Sequence, residues 1–295
     1  MKIGEMVKHE VQEDNYKLFA LLSRYLNEAS DLIKKDEVDD LVQYGVSKEY
    51  AFAVILAATF GLDIVENRKD KEFFNQYFKN MFHQLNKNQY ENNPYYKNIR
   101  VPAVKIGNCE LKYETYMPYE GFVCDDIIQN SEGRQIPQIG FFDEEFEYPA
   151  ILENNRIWMT ITPNEIETMK EAVERAHGHV LTFGLGMGYY AYMVSEKEAV
   201  DSVTVVEIND DVIQLFNQYI LPQFSNRKKI KVIKADAFEF AKNHMNPGTF
   251  DFVFTDLWHD VSDGIQLYLK MKEYEKQSPQ TQFMYWIEKS ILCYL

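Results

Sequence analysis

From His179 to Asp210 the chain reads HVLTFGLGMGYYAYMVSEKEAVDSVTVVEIND. A short apolar run (Val180, Leu181, Phe183) leads into three alternating glycines. A helix-like segment follows, and then a second apolar run, Val203 to Val206, which ends on Glu207. Short apolar runs that alternate with helical patterns predict a parallel sheet flanked by helices. The alternation continues through Ile230–Lys234 and Phe250–Thr255. A fifth run, Gln282–Trp286, follows the helix-like Ile265–Lys276.

The first half of the chain has different periods. Leu18, Leu21, Leu22 and Tyr25 recur at helical spacing, as do Leu32, Val38, Leu41 and Val42 more loosely, so residues 14–92 are expected to be helical. Lys71–Asn86 places Phe73, Phe74, Tyr77, Phe78, Met81 and Phe82 on one broad face, which is the pattern of core packing. Asn92-Asn93-Pro94 is expected to end this block in a turn. Between residues 100 and 162, short aromatic or alternating runs (Leu111–Tyr116, Gln138–Phe142, Ile157–Thr162) separated by turn-rich pieces predict a small antiparallel β module. Thr162-Pro163-Asn164-Glu165 then carries a helix start, with Thr162 as N-cap and Glu165 as its capping-box partner. The expected organisation is a helical region over 1–98, the β module over 99–162 and a parallel-sheet domain over 163–295.

Composition narrows the function. The 295 residues carry a net charge of −15, which argues against nucleic acid as substrate. The one basic cluster, Arg227-Lys228-Lys229 with Lys231 and Lys234, reads as solvated charge at a strand start. Aromatic residues make up 15% of the chain, enough to line a pocket. Cys109, Cys124 and Cys293 form neither a C-x-x-C pair nor a metal spacing, and the amino terminus has no signal-peptide core. A cytoplasmic protein without a bound metal is therefore expected. The longest apolar run, Ala51–Leu62, is too short to span a bilayer, so no membrane is expected either.

The glycine spacing separates cofactors. A dinucleotide loop places a small residue where this chain has Tyr189, and Gly184, Gly186 and Gly188 give G-x-G-x-G instead. With Glu207, Asp236 and Asp256 at the ends of successive runs, the series resembles the S-adenosylmethionine-dependent methyltransferases of the Rossmann-like class. The resemblance implies an α/β Rossmann-like methyltransferase sheet. In it, Gly184, Gly186, Gly188 and Glu207 would hold S-adenosylmethionine, with Asp236 and Ala237 at the adenine. The loop Asp256-Leu257-Trp258-His259-Asp260 would meet the acceptor. Asp256 or His259 would then act as base, while Trp258, Asp260 and Tyr189 would line the acceptor side.

Two departures are informative. Most members of that class carry an acid where this chain has Thr182. The order VLTFGLGMG, VTVVEINDDVI, IKVIKADAFEF, FDFVFTDLWHDVSD also resembles the spermidine synthases, which use decarboxylated S-adenosylmethionine and lack that acid. Those enzymes are expected to have Asp where this chain has Met187. The sequence thus favours methyl transfer from S-adenosylmethionine to a small molecule. The intact donor is expected to bind better than the decarboxylated one, because Met187 is uncharged and loop N–H groups favour an anion. The alternatives are aminopropyl transfer to an amine, and a non-catalytic cofactor-binding or interaction protein. The acceptor is expected to be a small molecule under a partial lid from residues 1–160, and the oligomeric state is open, a homodimer included.

Overall fold

The computed structural model describes residues 3–246 and 248–295. The chain packs as two compact units, Met1–Lys87 with Thr115–Glu147, and Asn88–Glu114 with Tyr148–Leu295.

The first unit begins with helices α1 (Ile3–Glu28), α2 (Lys35–Val42), α3 (Lys48–Thr59) and α4 (Arg68–Tyr77). The helical pattern expected across Lys71–Asn86 stops at Tyr77. After one 3₁₀ turn the chain forms strand β1 (Phe82–Gln84). β1 pairs in parallel with a strand more than fifty residues later, with Phe82 opposite Ile139. That partner cannot be seen in a local window, and tertiary pairing overrides the local period. Phe82 remains in the core, against Phe52, which also stacks on Phe141 at 4.5 Å.

Asn92-Asn93-Pro94 follows a short helix α5 (Lys87–Glu91) and opens another, α6 (Pro94–Asn98). The Asn93 carboxamide accepts from the Tyr95 N–H, and Pro94 takes the first helical position. The expected turn is present at Asn92-Asn93 and is at once the start of the next helix.

The expected β module is two sheets. Strands β2 (Val104–Ile106), β3 (Cys109–Tyr116), β6 (Phe146–Glu153) and β7 (Arg156–Thr160) form one, in the order β2-β3-β6-β7. Strands β4 (Phe122–Gln129) and β5 (Gln135–Phe141) join β1 in the other, in the order β1-β5-β4.

Helix α7 (Pro163–Arg175) starts as expected, with the Thr162 N–H donating to the Glu165 carboxylate at 2.8 Å. The doubly wound part follows. It contains β8 (Gly178–Phe183), α8 (Tyr189–Ser195), β9 (Val200–Glu207), α9 (Asp210–Leu215), β10 (Ile230–Lys234), α10 (Ala237–His244), β11 (Phe252–Thr255), α11 (Val261–Gln277), β12 (Gln282–Tyr285) and α12 (Glu288–Leu292). The five strands are all parallel in the order β10-β9-β8-β11-β12, a Rossmann-like α/β sheet. The central strands are continuous apolar runs because both of their faces are covered. Val180, Leu181, Phe183, Val203, Val205, Phe252 and Val253 are fully buried.

The register sets the site. Phe183 lies opposite Val206 on one side and Thr255 on the other. Gly184, Glu207 and Asp256 therefore leave the sheet at one carboxyl edge, around the switch between β8→β9 and β8→β11, where open α/β sheets bind ligands. Among the described residues, no helix is long and apolar enough to cross a membrane, and no cluster of His, Cys, Asp and Glu has metal-binding geometry.

Candidate functional site

The loop after β8 is shaped by close approach. Gly184 has φ +96°, and a Cβ there would sit 2.0 Å from the Asp256 carbonyl oxygen. Only glycine lets the ends of β8 and β11 meet this way. The Glu207 carboxylate then ties the loop to β9. Its Oε2 accepts from the Leu185 N–H at 3.1 Å, and its Oε1 accepts from the Ile208 and Asn209 N–H groups at 2.8 Å each. These three donors leave Oε2 with one lone pair unused.

Helix α6 supports the loop from outside. The Tyr95 hydroxyl donates to the Met187 carbonyl at 2.6 Å, and the Asn93 and Asn98 side-chain amides donate to the Tyr189 and Tyr192 hydroxyls. Sequence reasoning missed this support, because the residues involved lie more than ninety positions apart.

A cavity of about 310 Å³ opens beside this loop. Its lining includes Gly184, Leu185, Gly186, Met187, Tyr189 and Glu207 from the glycine loop and the tip of β9. Asp256, Leu257, Trp258, His259 and Asp263 come from the β11–α11 connection. A third wall runs from Ile157 to Ile161 along β7, where Met159 Sδ comes within 3.6 Å of where a Cβ on Gly186 would be. Of residues 1–160, from which a cover is expected, Ile157–Thr160 line this cavity. Glu165 and Met169 of α7 complete that side.

Four other expected site residues are not among those lining this cavity. Asp236 is exposed and caps α10, accepting from the Phe238 and Glu239 N–H groups at 2.9 Å, with Ala237 buried behind it. Asp260 caps α11, accepting from the Ser262 N–H, while Asp263 accepts from the backbone N–H groups of His259 and Asp260. Gly188 is the left-handed residue that opens α8. None of Asp236, Ala237, Asp260 and Gly188 lines this cavity.

Two aromatic features mark the β11–α11 wall. His259 stacks flat against Trp158 of β7, with ring centres 5.6 Å apart and planes within 2°. Trp258 is only 5% exposed, and its indole N–H has no acceptor. A buried donor without a partner is costly.

The electrostatics are one-sided. The carboxylates lining the cavity are Glu165, Glu207, Asp256 and Asp263, and none of its described lining residues is Lys or Arg. Burial first, then the charges of Glu165 and Glu207, push the Asp256 carboxyl up to about 8. Burial also raises Glu165, against the hydrogen bonds it accepts from Thr162 and Thr160. At neutral pH the site therefore retains a proton on Asp256 that an incoming cation would displace.

These residues fit an adenosyl sulfonium group. The Gly184 turn admits close approach, Glu207 has a lone pair that a ribose hydroxyl would meet, and the carboxylates would complement a sulfonium charge. A free carboxylate on the ligand fits less well. The N–H groups of Gly184, Leu185 and Gly188 are already used by the Val206 carbonyl, the Glu207 carboxylate and the Leu185 carbonyl. Helix α8 is only seven residues long, so its amino end offers little further field.

Residues 164–276 match the family model of the spermine/spermidine synthase domain. The spermidine synthase of Schizosaccharomyces pombe (strain 972 / ATCC 24843) is 38% identical over 80 residues, which is 26% of this chain and 26% of that protein. The match thus spans about a quarter of the length of that curated relative. The crystal structure of a candidate O-methyltransferase from Klebsiella pneumoniae aligns over 32% of this chain and 43% of its own, with 13% identity and a TM-score of 0.27. Precorrin 8w decarboxylase from Methanobacterium thermoautotrophicum aligns over 42% of this chain and 63% of its own, with 14% identity and a TM-score of 0.33.

Proposed function

We propose that this protein is a transferase that moves an aminopropyl group from decarboxylated S-adenosylmethionine to a small amine. The observation that carries this reading is the charge of the cavity: four carboxylates line it and no described lining residue is basic. The decarboxylated donor presents a sulfonium and an ammonium and has no carboxylate, and the acceptor is itself an amine. The intact donor would bring a carboxylate into an acidic cavity in which three of the loop N–H groups, those of Gly184, Leu185 and Gly188, are engaged. The similarity of residues 164–276 to the spermine/spermidine synthase domain supports the same reading. It reverses the order the sequence favoured, in which the loop was assigned a preference for an anion.

The chemistry is a displacement at carbon. The acceptor nitrogen lone pair attacks the methylene next to sulfur, and the carbon–sulfur bond breaks. Its electron pair returns to sulfur, so the donor leaves as neutral 5′-methylthioadenosine, and the new ammonium sheds one proton. Such a reaction mainly needs alignment, exclusion of water and a place for that proton. Asp256, at the end of β11 beside the glycine loop, is assigned the sulfonium end and the proton. Glu207 is assigned the ribose. Trp258 and His259 are assigned the acceptor side, with the backbone of β7 as cover.

Methyl transfer from S-adenosylmethionine to a small molecule is the second reading. The observation in its favour is Met187, an uncharged, buried side chain in the loop wall where the spermidine synthase resemblance implies an acid. A non-catalytic role required an occluded pocket next to Asp256, and an open cavity there counts against it.

Calorimetry with the two donors separates the readings. Tighter binding of decarboxylated S-adenosylmethionine than of S-adenosylmethionine is expected. The opposite order would return methyl transfer to first place.

A further inference from the structure

We propose that Glu165 selects the donor, favouring one that ends in an ammonium over one that ends in a carboxylate; this rests on the aminopropyl reading above. A capping-box Glu ordinarily completes a helix start and nothing more. Here the same carboxylate also forms part of the cavity wall, with Thr160 and Ile161 on one side and Met169 on the other. Its Oε2 accepts from both the N–H and the hydroxyl of Thr162, which uses both lone pairs of that oxygen. Its Oε1 accepts only from the Thr160 hydroxyl, at 2.8 Å, and keeps one lone pair. The carboxylate is thus held rigidly by α7 and β7 and still has room for one donor.

Its wall of the cavity reaches the glycine loop. Thr160, which orients Glu165, follows Met159, and Met159 abuts Gly186 of the loop. Glu165 lines the same cavity as Asp256, whose carboxyl is raised by burial first and then by the charges of Glu165 and Glu207. An ammonium carries three donors and can bridge two carboxylates that one such donor could not satisfy alone. Between Glu165 and Asp256, a donor's terminal ammonium would have two charged acceptors once it displaces the Asp256 proton, whereas a carboxylate at the same place would face the like charge of Glu165.

The same lining carries the Trp258 ring, so the wall opposite the glycine loop is aromatic and the acidic groups are the charged part of the cavity.

The test uses Glu165→Gln in the full chain: Gln also completes a capping box through its one carbonyl oxygen, and it removes the charge and turns the other acceptor into a donor toward Thr160. Calorimetry on wild type and variant, each with both donors, gives a selectivity ratio. A charge-assisted hydrogen bond accounts for about tenfold in affinity, so the variant should lose about that factor for the decarboxylated donor and lose nothing for S-adenosylmethionine. Equal changes for both donors, or no change, would overturn the assignment of Glu165. A wild type that prefers S-adenosylmethionine would instead overturn the aminopropyl reading itself. Should the Gln variant not fold, Glu165→Asp keeps the charge and withdraws it by one methylene. Reduced selectivity in that variant supports the proposal, and unchanged selectivity refutes it.

Discussion

The Glu207 carboxylate holds the Leu185 backbone N–H at 3.1 Å, so the tip of β9 and the glycine loop form one hydrogen-bonded unit. The residue assigned to the ribose also fixes the loop under the donor. Glu207→Ala should therefore do two things at once. It should leave the N–H groups of Leu185, Ile208 and Asn209 without their acceptor and lower stability by about 1–3 kcal/mol. It should also weaken donor binding by about ten- to a hundredfold. Denaturant unfolding and calorimetry read the two effects separately. Loss of stability with unchanged donor affinity would confine Glu207 to the loop.

Glycine substitutions should separate shape from flexibility. An Ala at Gly184 drives its Cβ to 2.0 Å from a backbone oxygen that cannot move aside, so Gly184→Ala should not give a native sheet edge. Gly186 meets nothing closer than the flexible Met159 side chain at 3.6 Å, but its φ is +51°. Gly186→Ala should fold with a penalty of about 1–2 kcal/mol from the left-handed backbone alone. Circular dichroism and thermal melts of the two variants test this. A stable Gly184→Ala protein would mean that the two strand ends are not packed this way.

Asp256 gives the site a pH dependence whose sign can be stated. Its carboxyl is raised from the ordinary range to about 8, so between those limits the folded protein binds a proton that the unfolded chain does not. That contribution to stability is fully present below the ordinary carboxylate range. It is lost as pH rises through about 8. Asp256→Asn should remove this slope, so the variant should gain on the wild type as pH rises from 4 to 8.

Donor binding should release that same proton. Titrations of the decarboxylated donor at pH 7, in two buffers of different protonation enthalpy, should show net proton release in the wild type and none in Asp256→Asn. Equal release by both proteins would assign the proton to another group.

The far end of α7 is closed by one side chain. The Lys197 ammonium donates to the carbonyls of Val173, Glu174 and Ala176 at 2.5, 2.6 and 2.8 Å. These are carbonyls of the last helical turn and just beyond it, where a cation is favoured. Lys197→Met should lower stability by about 1–3 kcal/mol and leave donor selectivity unchanged, since Lys197 is not among the cavity residues. A change in selectivity would show that the helix as a whole, and not Glu165 alone, sets the cavity charge.

Much of the second unit was legible because its signals are local. Five apolar runs, the glycine turn and the Thr162–Glu165 capping box each complete themselves within a few residues, and each appears where the sequence predicts it. Strand β1 was not legible, since Phe82–Gln84 reads as the end of a helical stripe until Ile139 is beside it. Asn93 was read as a turn because the same residues that break one helix cap the next. The charge of the cavity was hidden for a similar reason. Glu165 is fully explained locally as a cap, and only the approach of β7 to the loop turns that cap into part of a wall shared with Asp256.

The central claim is the group transferred, and the product identifies it. Purified protein is incubated with decarboxylated S-adenosylmethionine and 1,4-diaminobutane, and in parallel with S-adenosylmethionine and the same amine, and the nucleoside products are separated by chromatography. The account expects 5′-methylthioadenosine, formed together with an aminopropylated amine in the first reaction and absent without the amine. S-adenosylhomocysteine and a methylated acceptor from the second reaction, with no turnover in the first, would contradict it.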